Sequence, residues 1–584
     1  MSVLLANALA ALALAAGAER LPPIEAGELP DPAALRINAQ RRIPFENPLP
    51  RMYADGKRCG TYNNSELSLP GVLTTGDARL GLFLQKLRET IFATRRMLFV
   101  DGRRIVCCHN WIRDHVHQMK GWKHWEHRPS DFLDFILDTQ REDGQFFELV
   151  KQLDDRHWAF VDAPSRKMYP EDNVALVRLD LEADVEYLVV EGAWQYYRMT
   201  GDDAWLARAL PRLEKGIDYQ TSDRWRWEPS LGLCIRPYTI DTWDFTYDTW
   251  SGRDRRIPNK ALCAMHGDNT GVYQAMNQLA WFNERLGRAE RAASWRKRAA
   301  ELRANIMRHL WNGRFFVHQL PVRGAVELDG RERERLSLSD SYALNRGILS
   351  DAECQSVIDA FIARGKESGT FAEWFTVDPP YAPKFNAYEV GQYVNGAISP
   401  FTAGELAKGA LNHGREAYGW DVIRRWVDKL EKDGNIYFLY NRTTGASVSE
   451  EAGPSAWGAA ALMDAVEEGL AGIVDADVQY RTLAFSPRWA LTPYREGRYL
   501  TGYELTDRTV DVRWIFTAQG FRYRVACPSR RVRAHLLVPQ GKRPARMLFN
   551  GMETEFSTST AGESQYVDAE LRPADGIADI EVLY

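Results

Sequence analysis

A recurring helix–turn–helix unit constrains the fold of this 584-residue chain more than any other feature. Residues 269–311, NTGVYQAMNQLAWFNERLGRAERAASWRKRAAELRANIMRHLW, predict a helix that stops at Leu286–Gly287 and a second that begins at once. Earlier, Leu181, Val185, Leu188, Val189 and Ala193 fall at helical spacing. The Gly201–Asp202 turn ends that helix, and Trp205, Leu206, Leu210 and Leu213 share one face of the next. The unit returns, less clearly, in GELAKGALNHGREAYGWDVIRRWVDKL. Antiparallel helix pairs repeated over roughly 390 residues predict an α/α toroid or solenoid. The long irregular loops between pairs favour a closed toroid, because loops gathered at one mouth can build a site there.

The pattern changes on both flanks. After Ala471, the run YLTGYELTDRTVDVRWIFTAQGFRYRVACPSRRVRAHLLV alternates apolar and polar residues, with turns every ten or so positions. That alternation predicts an antiparallel β-sandwich. The expected organisation is an extended, Pro- and Gly-rich arm over 19–80, a helical domain over 81–472 and the sandwich over 473–584. The first eighteen residues, MSVLLANALAALALAAGA, form an apolar run ending in small residues and read as a signal peptide. They lack a basic start, so a buried N-terminal helix is the alternative. The expected location is periplasmic or secreted with a signal peptide, and cytoplasmic without one. No other stretch is long and apolar enough to suggest a membrane span.

Composition narrows the function. Apolar residues make up 45% and charged residues 26%, with a net charge of -5, which argues against long disorder and against a basic nucleic-acid-binding surface. The seven Cys show no metal spacing, and Cys107–Cys108 are too close for an easy bridge, so they read as buried thiols, with one disulfide as the alternative in an exported protein. Among the histidines, His115 and His117 form no zinc motif, and no metal or cofactor is expected. Most of the 19 Trp suit a core, but several stand in polar, Asp-rich segments. A flat apolar ring beside hydrogen-bonding carboxylates suits the face of a sugar ring. A carbohydrate is the expected partner.

Four segments carry the candidate chemistry. CHNWIRDHVHQ joins Trp111, Arg113 and Asp114, read either as an ion pair at a helix start or as a polar clamp on vicinal sugar hydroxyls. RPYTIDTWDFTYDTW holds Trp243 and Asp244, with Asp241 and Asp248 as rivals; an acidic loop or a calcium site is the plainer reading. GTFAEWFTVDPPYAPKFNAYEVGQYVNGAISPF offers Glu373 and Glu389 for hydroxyls and Asn395 for the site or for an Asx turn. SVSEEAGPSAWGAAAL puts Glu450 and Glu451 shortly before Trp457 at a helix start, where acids also serve the helix dipole.

Taken in this order, the segments resemble the six-hairpin, (α/α)6-barrel glycosidases, a superfamily that includes trehalases, glucosidase-I-like enzymes, glucoamylases and debranching-type glucosidases. Trp111–Asp114 looks like their early Trp-x-Arg-Asp element, which binds the sugar whose bond is cut. The Trp243–Asp244 segment is similar to a Gly-Trp-Asp-Phe element whose Asp is the general acid, with Thr242 in place of the Gly. The resemblance implies Asp244 as acid, Glu451 as base, and Trp111, Arg113, Asp114, Trp243, Glu373, Glu389, Asn395 and Trp457 around the substrate. It implies an exo-acting, inverting glycoside hydrolase on a mainly α fold. Inversion requires one carboxylic acid to protonate the leaving oxygen and one carboxylate to activate water on the opposite face.

The alternatives are a phosphorylase or a polysaccharide lyase on the same fold, or an inactive carbohydrate-binding protein. A lyase would draw its base from Tyr238, Tyr247 or His266.

Overall fold

The computed structural model describes residues 21–22, 73–75, 78–153, 165–179, 182–238, 262–324, 330–385, 388–449 and 453–584. The helices between 79 and 464 come in pairs. They are α1 (Arg79–Ala93), α2 (Ile112–Trp122), α3 (Asp131–Asp138), α4 (Val185–Thr200), α5 (Asp203–Gln220) and α6 (His266–Arg285). There follow α7 (Ala289–Leu310), α8 (Leu338–Ala343), α9 (Asp351–Ser368), α10 (Pro400–Asn412), α11 (Glu416–Asp433) and α12 (Ala456–Asp464).

The even-numbered helices form a circuit: α2 packs on α4, α4 on α6, α6 on α8, α8 on α10, α10 on α12, and α12 on α2. The odd-numbered helices pack against its members, α7 along α6 and α11 along α10 most extensively. Sequence follows position. In α11, Val422, Ile423, Trp426, Val427 and Leu430 make one buried stripe, whereas every residue of α12 is buried. Small residues let the circuit close tightly: a Cβ on Gly404 of α10 would lie 2.5 Å from the backbone of Ala461 in α12. The predicted turns are present, with Gly201 and Gly287 at positive φ, a conformation glycine adopts without a Cβ clash.

The last segment forms two sheets. One orders Leu73–Thr75, Glu496–Tyr503, Arg508–Phe516, Gly520–Ala526, Ile577–Leu583, Arg546–Phe549 and Met552–Glu553. The other orders Ile473–Asp475, Thr482–Phe485, Arg531–Leu537, Ser564–Leu571 and Ser557–Ala561. Side chains of the two sheets meet at Phe485 and Tyr523, ring centroids 5.3 Å apart.

Two details depart from the expected pattern. Thr482–Phe485 runs parallel to Arg531–Leu537, so the second sheet is mixed and not wholly antiparallel. Parallel neighbours need a long crossover, and the three strands of 496–526 supply it by crossing to the other sheet. The end of the expected arm also joins this region, because Leu73 pairs with Tyr499 on the edge of the first sheet.

The sheets are bonded to the helices. Thr501 donates to Glu467 at 2.7 Å, Glu504 N–H donates to the His124 carbonyl at 3.0 Å, and Gln479 donates to the Thr200 carbonyl at 2.6 Å. Among the described residues, Cys107, Cys108, Cys234, Cys263, Cys354 and Cys527 are buried and outside any disulfide, and no helix is long and apolar enough to cross a membrane.

Candidate active site

The first turns of the even-numbered helices meet at one end of the circuit. Trp111 caps α2 in an extended conformation, which places Arg113 and Asp114 in the first turn. Arg113 is buried and donates to Asp184, the residue before α4, and to Glu182 at 2.6 Å; Glu148 lies 3.7 Å from its guanidinium. Arg236 approaches Glu182 and Asp268 of the α6 first turn, each at 3.4 Å. Arg178 donates to Glu186 of α4 at 3.1 Å. Three buried arginines and five carboxylates thus fasten the starts of α2, α4 and α6 together. Acids there also suit the positive ends of the helix dipoles. Burial and the Glu182 charge push Glu148 well above the usual carboxylate range. Burial works the same way on Asp184, but the Arg113 guanidinium outweighs it and holds that carboxyl below its ordinary value.

The accessible surface of this end is different in character. Asp114 keeps 22% of its side chain exposed, and burial of the remainder pushes its carboxyl up to about 6. The half-buried Trp111 ring lies 5.5 Å from the Lys151 ammonium. An aromatic face and a carboxylate stand side by side at the mouth, backed by a rigid ionic floor.

A second polar cluster was not apparent in the sequence. Glu332 accepts hydrogen bonds from Tyr238 at 3.0 Å, Tyr381 at 2.8 Å and Arg335 at 2.9 Å, and lies 3.0 Å from His318 Nδ1. His318 and Arg335 hold the Glu332 carboxyl below its ordinary range although burial opposes them. Burial raises the Tyr238 phenol far above its usual value. His266 is buried, with Nδ1 3.1 Å from the Val317 carbonyl.

The other candidates are dispersed. Asn395 is fully committed to backbone, accepting from Tyr381 N–H at 2.8 Å and donating to the Tyr381 and Tyr388 carbonyls at 3.0 Å; it fixes the loop that carries Tyr381. Glu373 accepts from Tyr418 and Arg425 of α11, both at 2.7 Å, and so ties its loop to an odd-numbered helix. Glu389 is exposed on a short hairpin. Trp457, in the first turn of α12, is buried; it stacks on His117 at 4.4 Å and Phe401 at 4.8 Å and donates to Tyr342 at 2.9 Å. It closes the interior of the circuit beneath the mouth.

Trp243, Asp244, Asp241, Asp248, Glu450 and Glu451 lie outside the described residues. Their flanks are described. The chain leaves at Tyr238, beside Glu332, and returns at Leu262, which pairs with Pro237 and leads into α6. Ser455, four residues after Glu451, caps α12 by accepting from Gly458 N–H at 3.1 Å. Among the described residues, no group of three or more His, Cys, Asp or Glu is arranged to hold a metal.

Comparison with known proteins bears on the same region. No curated protein sequence matches the chain. An α-L-rhamnosidase from Dictyoglumus thermophilum superposes with a TM-score of 0.57 at 9% identity, over 88% of this chain and 50% of its own. A GH78 family rhamnosidase of a Bacillus species gives 0.53 at 16% identity, over 81% of this chain and 43% of its own. A GH63 mannosylglycerate hydrolase from Thermus thermophilus gives 0.43 at 14% identity, over 65% of this chain and 99% of its own. The chain spans half or less of the length of those rhamnosidases, and at such identities the likeness bears on fold alone. The model of the mannosylglycerate hydrolase MGH1-like glycoside hydrolase domain matches residues 108–458, which take in Trp111–Asp114, the whole circuit up to the start of α12, and the segments that flank Asp244 and Glu451. With well over half of its residues in that match, this chain belongs to the MGH1-like glycoside hydrolase domain family.

Proposed function

We propose that the chain is an inverting, exo-acting glycoside hydrolase, with its helical pairs closed into an (α/α)6 toroid and its last sheets packed as a β-sandwich. The observation that carries this is the convergence of helix starts on Trp111 and Asp114. There, an open carboxylate and an aromatic face sit over a buried ionic floor, and the segments bearing the candidate acid and base lead into α6 and α12 of the same circuit. In the reaction, Asp244 protonates the leaving glycosidic oxygen, and Glu451 takes a proton from the water that attacks the anomeric carbon from the opposite side. Asp114 accepts from sugar hydroxyls and Trp111 covers the apolar face of the ring. Arg113, with both its carboxylate partners in place, is a positioning residue that fixes the α2 start.

The test is hydrolysis of a panel that includes mannosylglycerate, α-L-rhamnosides and aryl glucosides, with the first-formed anomer followed by NMR. An inverted anomer is expected; a retained one overturns the assignment of Glu451 as a base. The pH dependence isolates Asp114. Its carboxyl titrates near 6, so acceptor strength is gained as pH rises through that value. KM is expected to fall over that interval, and Asp114→Asn to flatten the profile. A parent KM that does not change with pH there would remove Asp114 from substrate binding.

A further inference from the structure

A cavity of about 170 Å³ lies inside the circuit toward the opposite ends of the even-numbered helices. All six contribute to its wall, directly or through the residues that follow them. Lys120 of α2 stands seven residues beyond Arg113, or roughly 10 Å along the helix at 1.5 Å per residue. The buried ring of Tyr342 lines the cavity, and the Trp457–His117 stack lies on the mouth side of it.

Much of the wall has a structural reason. Helix C-terminal ends carry partial negative charge, and lysines and arginines are stabilising there. These cations are in turn neutralised: Lys120 pairs with Glu405, Lys408 with Asp464 at 2.8 Å and with Glu468 at 2.5 Å, and Lys123 lies 3.5 Å from Glu468. Glu191 makes none of these pairs, although the charges of Lys120 and Arg346 act on its carboxyl. Its side chain is buried to nine-tenths, lines the cavity and makes no hydrogen bond among the described residues. Gln274 and Gln278 line the same space, and neither side chain is hydrogen-bonded among the described residues. The half-buried Trp194 completes that wall. Burying a carboxylate without hydrogen bonds is costly, and burial raises the Glu191 carboxyl accordingly.

We infer that this cavity is a second binding site, for a small neutral polyhydroxy compound such as a monosaccharide or polyol. An anion would have to break pairs already made in the wall, and a cation at Glu191 would meet the charges of Lys120, Arg346 and Lys408. A polyol brings hydroxyls that both donate and accept, which matches an unbonded carboxylate, two unbonded amides and an ammonium, beside an indole ring. The site is separate from the mouth and does not depend on the reaction proposed for it.

Titration calorimetry with D-glucose, D-mannose and glycerol on the full chain tests this. For at least one compound, binding is expected that Gln274→Leu and Glu191→Leu each weaken tenfold or more, and that Asp114→Asn leaves unchanged. Gln274 is half-buried, so its variant keeps the test open should Glu191→Leu fail to fold. The inference is overturned if none of the three compounds binds, or if the binding is lost with Asp114→Asn and survives Gln274→Leu. Either result would mean that the cavity holds only water, whatever becomes of the hydrolase reading.

Discussion

Asp244→Asn is expected to lower turnover on natural glycosides by about 10²–10⁴-fold or more, the usual contribution of a general acid. The amide keeps the volume and shape of the side chain but has no acidic proton to deliver. A glycosyl fluoride departs without protonation, so its hydrolysis should be hurt far less. Glu451→Gln should impair both substrates, because water must be activated whatever leaves. Azide needs no base and should partly restore Glu451→Ala. Turnover of the fluoride and of a natural glycoside, measured on each variant, separates the two roles. Equal damage to both by Asp244→Asn would transfer the acid role to Asp241 or Asp248.

How much of this was legible in the sequence depended on whether the signal was local. Helix pairs leave a 3.6-residue stripe and a glycine stop, so the turns at Gly201 and Gly287 could be placed from the sequence. The stripe fades in the circuit itself: α12 is buried all round, and its run of small residues carries no face to read. The Glu332 cluster gathers Tyr238, His318, Arg335 and Tyr381 from separate segments, and nothing near any one of them marks it. Asn395 and Glu373 were visible as polar residues in suggestive loops. Their partners, Tyr381 backbone and Arg425, come from elsewhere in the chain and fix what each one does. The mixed second sheet escaped for a similar reason, since alternation reports burial on one face and says nothing of strand direction.

Arg113 shows the same limit, and it gives the second large effect. Its sequence neighbours offered a clamp or an ion pair, and in the structure the guanidinium is buried and shared between Asp184 and Glu182. Removing one partner from a buried ion pair typically costs about 3–5 kcal/mol, because the remaining charge loses its compensation. Arg113→Ala strips Asp184 of the guanidinium that bonds it, while Glu182 keeps Arg236 at 3.4 Å, so a fall in stability of about that size is expected, measurable by denaturant or thermal unfolding. The pH dependence follows from the sign of the change. Without Arg113, burial is left to act on Asp184 and its folded-state pKa should rise above its unfolded value, so stability should fall as pH rises through that interval and recover toward acid. Adding Asp184→Asn to Arg113→Ala removes one stranded charge and should return part of the loss, a coupling that a double-mutant cycle reads directly. If Arg113→Ala unfolds like the parent at neutral pH and only substrate affinity drops, the guanidinium serves the sugar and not the floor beneath it.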